Sequence, residues 1–378
     1  MRDLLGGLLK PRVEALGLEI GTANLKVVEL KGSPASLRGL AIRPTPPGAI
    51  QEGSIIDPQI LANELREMLG ELRTRNRYVV TAASNLAVIT RTLQVPKMPA
   101  KQMDEAVRWE AERYIPFPID EVVLDYATLD TADSVPEGEQ MDVVVGAARQ
   151  ETVASLVEVL KAAGLEPLII DVKPFAGLRT LGNRLHNPDR EPITLFLEIG
   201  AESSALVLTR GDRLLLNRVI NLSGKDFTAA ISKAFNLDIL AAEDAKKNYG
   251  LATIPTEDED LLLDFDAERE RFNPARMYDA IRPVLVELTT ELRRSLEFFR
   301  VQVGDLGVDQ GFVAGGGSKL RSLVPLLADT LGIPLEIADP WQNIQIDKNR
   351  FDLEYLRSLS AEFTVPVGLA LRGVSPLD

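Results

Sequence analysis

Apolar and polar positions change their period several times along the chain. Leu16-Gly17-Leu18-Glu19-Ile20 runs apolar and stops at Gly21, and residues 24–30 then alternate. That pattern predicts strand, glycine turn, strand. It returns later, where Leu18-Glu19-Ile20-Gly21 recurs as Leu197-Glu198-Ile199-Gly200, offset by 179 residues. Residues 201–208 alternate again before a turn at Arg210-Gly211-Asp212. A β-hairpin with an acidic residue near its tip, repeated at half-chain spacing, predicts a duplicated architecture.

The region between the repeats has a character of its own. Residues 77–95 read as two β-rich runs split by Ala83-Ser84-Asn85. Residues 98–114 carry Met103, Ala106, Val107 and Ala111 on one helical face, and the prolines of Ile115-Pro116-Phe117-Pro118 end that helix. Residues 120–129 and 141–148 are strand-like around a polar loop at 131–140. A helix over 151–163 ends at Gly164, and 167–172 is another strand. Together these predict a βαββα-like module, residues 86–165, inserted into the first half. After the second hairpin come helices over 226–235 and 241–249, then an acidic run at 257–270. Ile281, Leu285, Leu288, Leu292, Leu296, Phe299 and Val303 step by three and four, one buried face of a long helix with Pro283 placed in its first turns. A strand over 310–314 runs into Gly315-Gly316-Gly317, followed by a helix over 318–331 and a last helix near 365–371.

Composition removes whole classes of chemistry. Among 378 residues there is no cysteine and one histidine, His186. Thiolate catalysis, disulfides, cysteine zinc sites and iron–sulfur clusters are therefore excluded, and His186 lies in a polar stretch that reads as a loop. A formal charge of −14 argues against nucleic acid as the main partner. No apolar run approaches the roughly 20 residues of a membrane span, and no signal-peptide pattern opens the chain. Residues 1–10 alternate leucines with charges, which suits either a short amphipathic turn on a membrane surface or a packed arm. The acidic run at 257–270 reads as a solvated face or a cation-binding segment.

No Walker A sequence is present: Gly224-Lys225 is followed by Asp226 and lacks the upstream glycine. Yet glycine turns sit at three strand ends, at Gly21, at Gly200 and at Gly315–Gly317. Glycine lets the backbone approach a phosphate and aim N–H groups at it. Lys26 is seven residues beyond Glu19, an odd step that the intervening turn resets, so its cation can reach the same place. Each feature also has an ordinary reading: a tight turn, a flexible packing glycine, a solvated lysine.

The order of these features resembles the actin-like ATPase superfamily, an α/β fold of two related halves. Residues 16–26 are similar to its first phosphate loop, 195–204 to its second and 312–320 to its adenosine loop. Ala242-Glu243-Asp244-Ala245-Lys246 is similar to the ribose- and base-contacting helix of FtsA-like members, and Leu222-Ser223-Gly224-Lys225 to the segment before it. The resemblance tightens to the PilM family of type IV pilus assembly. It rests there on Lys10 to Gly21, on Arg108-Trp109-Glu110 through Ile119-Asp120, and on Asp171-Val172-Lys173-Pro174. It implies an FtsA-type inserted subdomain over 86–165. The first half would comprise 1–85 and 166–190. The second would comprise 191–235, a subdomain at 236–305, and 306–378, which returns to the first.

The resemblance implies ATP with Mg²⁺, held by Glu19, Gly21, Thr22, Asn24 and Lys26 on the first hairpin and by Glu198, Gly200, Ala201 and Ser203 on the second. It adds Gly224, Lys225, Glu243 and Lys246, then Gly315, Gly316, Gly317 and Lys319. Glu19 and Glu198 would meet the metal through its waters. The superfamily usually has aspartate at these two positions. A carboxylate moved outward by one methylene retains binding and impairs turnover, so slow or absent hydrolysis is expected. The resemblance also implies a cytoplasmic protein, peripheral at the inner membrane through its partner. That partner is the N-terminal cytoplasmic segment of PilN, with the pilus platform and assembly ATPases beyond it. Ile115, Phe117 and Ile119 would be either an apolar anchor for that peptide or a plug for the module's own core. Two alternatives stay open. An FtsA-like division filament protein would call for a C-terminal membrane helix, which residues 361–378 do not resemble. A small-molecule kinase would need a substrate-side carboxylate base, for which no motif is found.

Overall fold

The computed structural model describes residues 14–129, 135–136, 138–187, 189–253, 271–304 and 306–375. The arm at 1–10 and the acidic run at 257–270 lie outside the described residues, as does part of the 131–140 loop. The first half holds strands β1 (Leu16–Ile20), β2 (Asn24–Lys31), β3 (Ser36–Pro44), the short pair β4 (Ile50–Gln51) and β5 (Ser54–Ile55), then helix α1 (Pro58–Leu72) and β6 (Tyr78–Ala83). Next come β7 (Val88–Pro96), α2 (Ala100–Glu112), β8 (Val122–Thr128), β9 (Gln140–Arg149), α3 (Gln150–Ala162), β10 (Glu166–Val172) and α4 (Lys173–Arg179). The second half holds β11 (Ile193–Ile199), β12 (Ser204–Arg210), β13 (Arg213–Ile220), α5 (Gly224–Phe235), α6 (Ile239–Tyr249) and α7 (Pro274–Val303). It closes with β14 (Gln310–Ala314), α8 (Leu323–Leu331), β15 (Leu335–Ile337) and α9 (Leu353–Val374).

The duplication expected from the repeated tetrapeptide is complete at the level of topology. The first sheet runs β10-β6-β1-β2-β3 and the second β15-β14-β11-β12-β13. In each, the repeat strand pairs antiparallel with its hairpin partner and parallel with the next crossover strand. β1 and β11 are buried along their whole length, as a strand covered on both faces must be.

Each half ends in a helix that packs on the other half. α9 covers the first sheet, where Phe363, Val367 and Ala370 join Val28 and Leu30 in one core. α4 sits on the second sheet, where Leu178 and Leu181 join Phe196 and Val207. The two helices cross at glycine: a Cβ on Gly368 would stand 1.7 Å from the Ala176 carbonyl oxygen, and one on Gly177 would stand 2.4 Å from the Phe196 ring. Phe196 is fully buried there, a contribution of roughly 1.5–3 kcal/mol against leaving such a side chain in water.

The inserted module is narrower than residues 86–165. Its three-stranded antiparallel sheet, order β7-β9-β8, and α2 share a core of Leu93, Val107, Ala111, Ile115, Val143 and Val145. α3 instead buries Leu156, Val159 and Leu160 against α1 and the first sheet, so the module's own core ends with β9. Helix boundaries differ in three other places. Pro283 lies well inside α7, because Asn273 caps that helix at the Arg276 amide and starts it early; a proline there cannot donate to the carbonyl four residues back. The segment expected as one helix over 318–331 is a 3₁₀ turn (Gly316–Lys319) and then α8. Between them Arg321 bridges to Leu251, and Ser322 takes a φ of +61°. α9 starts long before residue 365, because Asp352 accepts from the Glu354 and Tyr355 amides, and it continues through Pro366.

Candidate functional site

The two halves face each other at their repeated hairpins, where the Asn85 side chain donates to Glu198 across the cleft between them. Both hairpin turns close in the same way. The Gly21 amide donates to the Asn24 carbonyl at 3.1 Å, and the Gly200 amide to the Ser203 carbonyl at 3.0 Å. A Cβ on either glycine would stand 2.7 Å from that carbonyl oxygen, so no other residue fits these turns. The register sets Glu19 opposite Lys26, and their side chains meet at 3.0 Å. In the second hairpin Glu198 stands opposite Ala205, and no cation is supplied there.

The two glutamates consequently behave differently. Glu19 is buried; Lys26 holds one oxygen and Lys173, the first residue of α4, holds the other at 3.2 Å. Burial alone would raise the Glu19 carboxyl, but the two lysines outweigh it and hold it below the usual carboxylate range. Glu198 is equally buried and accepts only from the Asn85 side chain, at 3.3 Å. Burial pushes its carboxyl up, and the repulsion of Glu19 adds to this against the pull of Lys173. Lys173 is opposed by burial, yet Glu19, Glu198 and Glu202 together keep it above the usual lysine range. A further contact spans the cleft: Glu202, on the second turn, accepts from the Thr22 hydroxyl at 3.0 Å and from the Gly53 amide at 3.2 Å.

The second half contributes a braced helix start. Ser223 and Asp226 form a reciprocal capping box on α5. The Gly224 and Lys225 amides donate to the Gly200 and Ala201 carbonyls at 2.8 and 3.0 Å, tying α5 to the glycine turn. On α6, Lys246 donates to the Gly224 carbonyl, the Thr228 hydroxyl and Glu243, all within 3.0 Å. Burial would raise the Glu243 carboxyl, but Lys246 and the Thr228 hydroxyl outweigh it and hold it low. Lys225 is exposed, in reach of an anion at the turn. Gly315 and Gly317 press on Ile199, where a Cβ would come within 2.4 Å, while a Cβ on Gly316 would only touch the Glu362 side chain, at 3.7 Å. Lys319 is turned away to Glu362 at 2.7 Å.

Most residues expected at the site are thus gathered around the two turns, with Asn24 and Ser203 closing them. The apolar trio is not. Ile115 is buried in the module core, and Phe117 and Ile119 pack against it, with the Arg149 guanidinium 4.0 Å above the Phe117 ring. They plug their own subdomain, because the helix-ending prolines fold that segment back over the sheet. Three residues around the site were not anticipated: Asn85, Lys173 and Glu202. A signal for the first two existed, since each directly or closely follows a parallel strand, β6 and β10, and ligands gather at the carboxyl ends of such strands.

Among the described residues no cluster of three or more acidic or histidine side chains is placed to hold a metal. Both Glu19 oxygens are already engaged by lysines, and Glu198 by Asn85. The donor set does not fit a resident protein-caged ion. It fits Mg²⁺ arriving on phosphates with most of its water shell, which is how that ion is usually held. Beside the first hairpin lies a cavity of about 300 Å³, lined by Ile20, Thr22, Ile50, Gly53, Ile55, Leu156 and Lys173 among others.

Residues 17–374 match the family of the type IV pilus assembly protein PilM. This chain belongs to that family. It is 56% identical to a chain of a solved PilM-PilN type IV pilus biogenesis complex, with a TM-score of 0.87 over 97% of this chain and all of that one. It is 22% identical over 357 residues to the cell division protein FtsA of Bacillus subtilis (strain 168), covering 86% of this chain and 78% of that protein. MreB5 of Spiroplasma citri bound to ADP superposes with a TM-score of 0.54 at 13% identity over 96% of both chains. The fold is the actin-like ATPase fold in its FtsA-type variant, as the resemblance implied. Among the described residues no helix is long and apolar enough to cross a membrane.

Proposed function

We propose that this protein is a scaffold of type IV pilus assembly that binds the N-terminal cytoplasmic segment of PilN and holds a nucleotide, ATP with Mg²⁺, between its two hairpins. The observation that carries the PilN reading is the 56%-identical PilM chain solved in a PilM-PilN complex. What supports the nucleotide reading is the pair of identical glycine turns with a lysine beside each end of the cleft, Lys26 and Lys173 on one side and exposed Lys225 on the other. MreB5, of the same fold, has been solved with ADP.

Thr22 and Ala201, at the tips of the turns, would present backbone N–H groups to phosphate oxygens, and Lys26 and Lys225 would neutralise them. Gly316 and the ends of α5 and α6 would face the nucleoside, with Glu243 and Lys246 holding those helices in place. Mg²⁺ would neutralise charge between phosphates, with Glu19 and Glu198 meeting its waters. Both Glu19 oxygens are taken by lysines and Glu198 accepts from Asn85, so neither carboxylate stands ready to orient an attacking water. Hydrolysis is accordingly slow or absent. Such a protein works in the cytoplasm and meets the inner membrane through PilN. Ile20, Ile50, Ile55 and Leu156 make the cavity beside the first hairpin a seat for an apolar residue of an extended peptide. Calorimetric titration with a synthetic PilN N-terminal peptide, with and without Mg·ATP, tests both parts. Saturable peptide binding that an Ile55→Arg or Leu156→Arg variant loses supports the seat. Absence of peptide binding, or multiple-turnover ATP hydrolysis at kinase-like rates, overturns the reading.

A further inference from the structure

The repeated hairpins differ at one tip position in a way the duplication does not explain. Residue 23 is alanine, and its counterpart 179 positions on is Glu202. Glu202 does not point to solvent. Its carboxylate crosses to the other half, where the Thr22 hydroxyl donates to it at 3.0 Å and the Gly53 amide at 3.2 Å, and it lies within the electrostatic reach of Lys173. A hydroxyl and a backbone N–H from glycine-bearing loops, beside a buried ammonium, are the donors a phosphate oxygen would use. We propose that Glu202 is a built-in competitor of the nucleotide's phosphates. It occupies the donors those phosphates would use, and it must withdraw when the anion enters. This rests on the reading that nucleotide binds in this cleft. Thr22 and Gly53 also line the 300 Å³ cavity, so the exchange of their acceptor from Glu202 to a phosphate reaches the wall of that cavity.

A latch closed nine-tenths of the time weakens apparent affinity about tenfold, because only the open fraction binds. Glu202→Ala should therefore bind ATP and ADP about tenfold more tightly than the parent chain, and Glu202→Gln, which keeps the shape and loses the charge, should fall between. Calorimetry on the full chain gives these values. If the parent binds nucleotide and neither variant binds it more tightly, the latch is refuted and the cleft reading stands. If no form binds nucleotide, the cleft reading itself fails and the competitor role fails with it. Hydrogen exchange at the Gly53 amide examines the latch without relying on affinity. It should speed up in Glu202→Ala without nucleotide, and adding ATP to that variant should restore protection as a phosphate oxygen takes the carboxylate's place. Unchanged exchange at Gly53 in the variant overturns the proposal whatever the affinities show.

Discussion

Replacing Lys173 by methionine tests the charge network at the centre of the cleft. Lys173 shares Glu19 with Lys26, the two contacts being 3.2 and 3.0 Å, all three side chains buried. Breaking a buried pair by removing one partner costs about 3–5 kcal/mol when the survivor is left alone. Here Glu19 keeps Lys26, and methionine spares the cost of burying an ammonium, so the expected loss is smaller, about 2–3 kcal/mol. For a cooperative unit the size of the first half this lowers Tm by roughly 5–10 °C, read by circular dichroism or calorimetry near pH 7.5. The pH dependence supplies a second readout. Glu19 is held below its ordinary range, so the unfolded chain takes up that proton first as acid is added. The network's contribution is complete above the ordinary carboxylate pKa of about 4.3 and is lost as pH falls through the lower value of Glu19. The gap between the parent and Lys173→Met should therefore close in acid. A Tm within a degree of the parent near pH 7.5, or a gap unchanged in acid, would refute the reasoning.

Other substitutions separate the remaining claims. Gly368→Ala drives a methyl into the Ala176 backbone where α4 and α9 cross, and it should cost at least about 3 kcal/mol by thermal melt. Phe117→Ala should destabilise by about 2 kcal/mol because it opens the module core and removes the Arg149 contact. Trp109→Ala, at 71% exposed, should stay within about 0.5 kcal/mol; a large Trp109 loss with a neutral Phe117 would reverse the assignment of that segment. Gly200→Ala has nowhere to put its methyl but the Ser203 carbonyl. It should abolish nucleotide binding in a filter or calorimetric assay while far-ultraviolet dichroism stays near that of the parent.

How much was legible in the sequence follows from which interactions are local. The hairpins, the long α7 stripe and the module strands are written in short-range period and glycine placement, and they were readable. Only the part of α9 near residues 365–371 was read, and its start at Leu353, capped by Asp352, was missed. In the fold, Gly368 is where another helix passes, a requirement set by residue 176 and invisible from its own neighbours. α3 read as part of the module because it follows β9 directly, yet its apolar face belongs to the sheet whose β10 comes after it. The nucleotide-side glycines could be listed from pattern and resemblance, whereas Asn85, Lys173 and Glu202 act across 113, 154 and 180 residues of chain. No local pattern marks a residue whose partner is that far away; only the rule about strand ends could have pointed toward the first two.

The duplicated tetrapeptide gives two buried glutamates at equivalent strand ends, and the fold sends them in opposite directions. The cause lies in the strand facing each: Lys26 at one register position, Ala205 at the other. The first carboxylate becomes a fixed charge between two lysines, the second a carboxyl that accepts from an amide while the same lysines bond elsewhere. An Ala205→Lys variant would restore the symmetry the duplication implies. Its new ammonium should bring Glu198 back toward the ordinary carboxylate range, seen as an upfield-field proton titration moving to lower pH in carboxyl-labelled spectra. It should also leave the cleft with a further lysine beside Lys26, Lys173 and Lys225. Tighter nucleotide binding without ATP turnover would agree with the proposed slow hydrolysis and trace it to the paired Glu19. Appearance of turnover would place it in Glu198 instead.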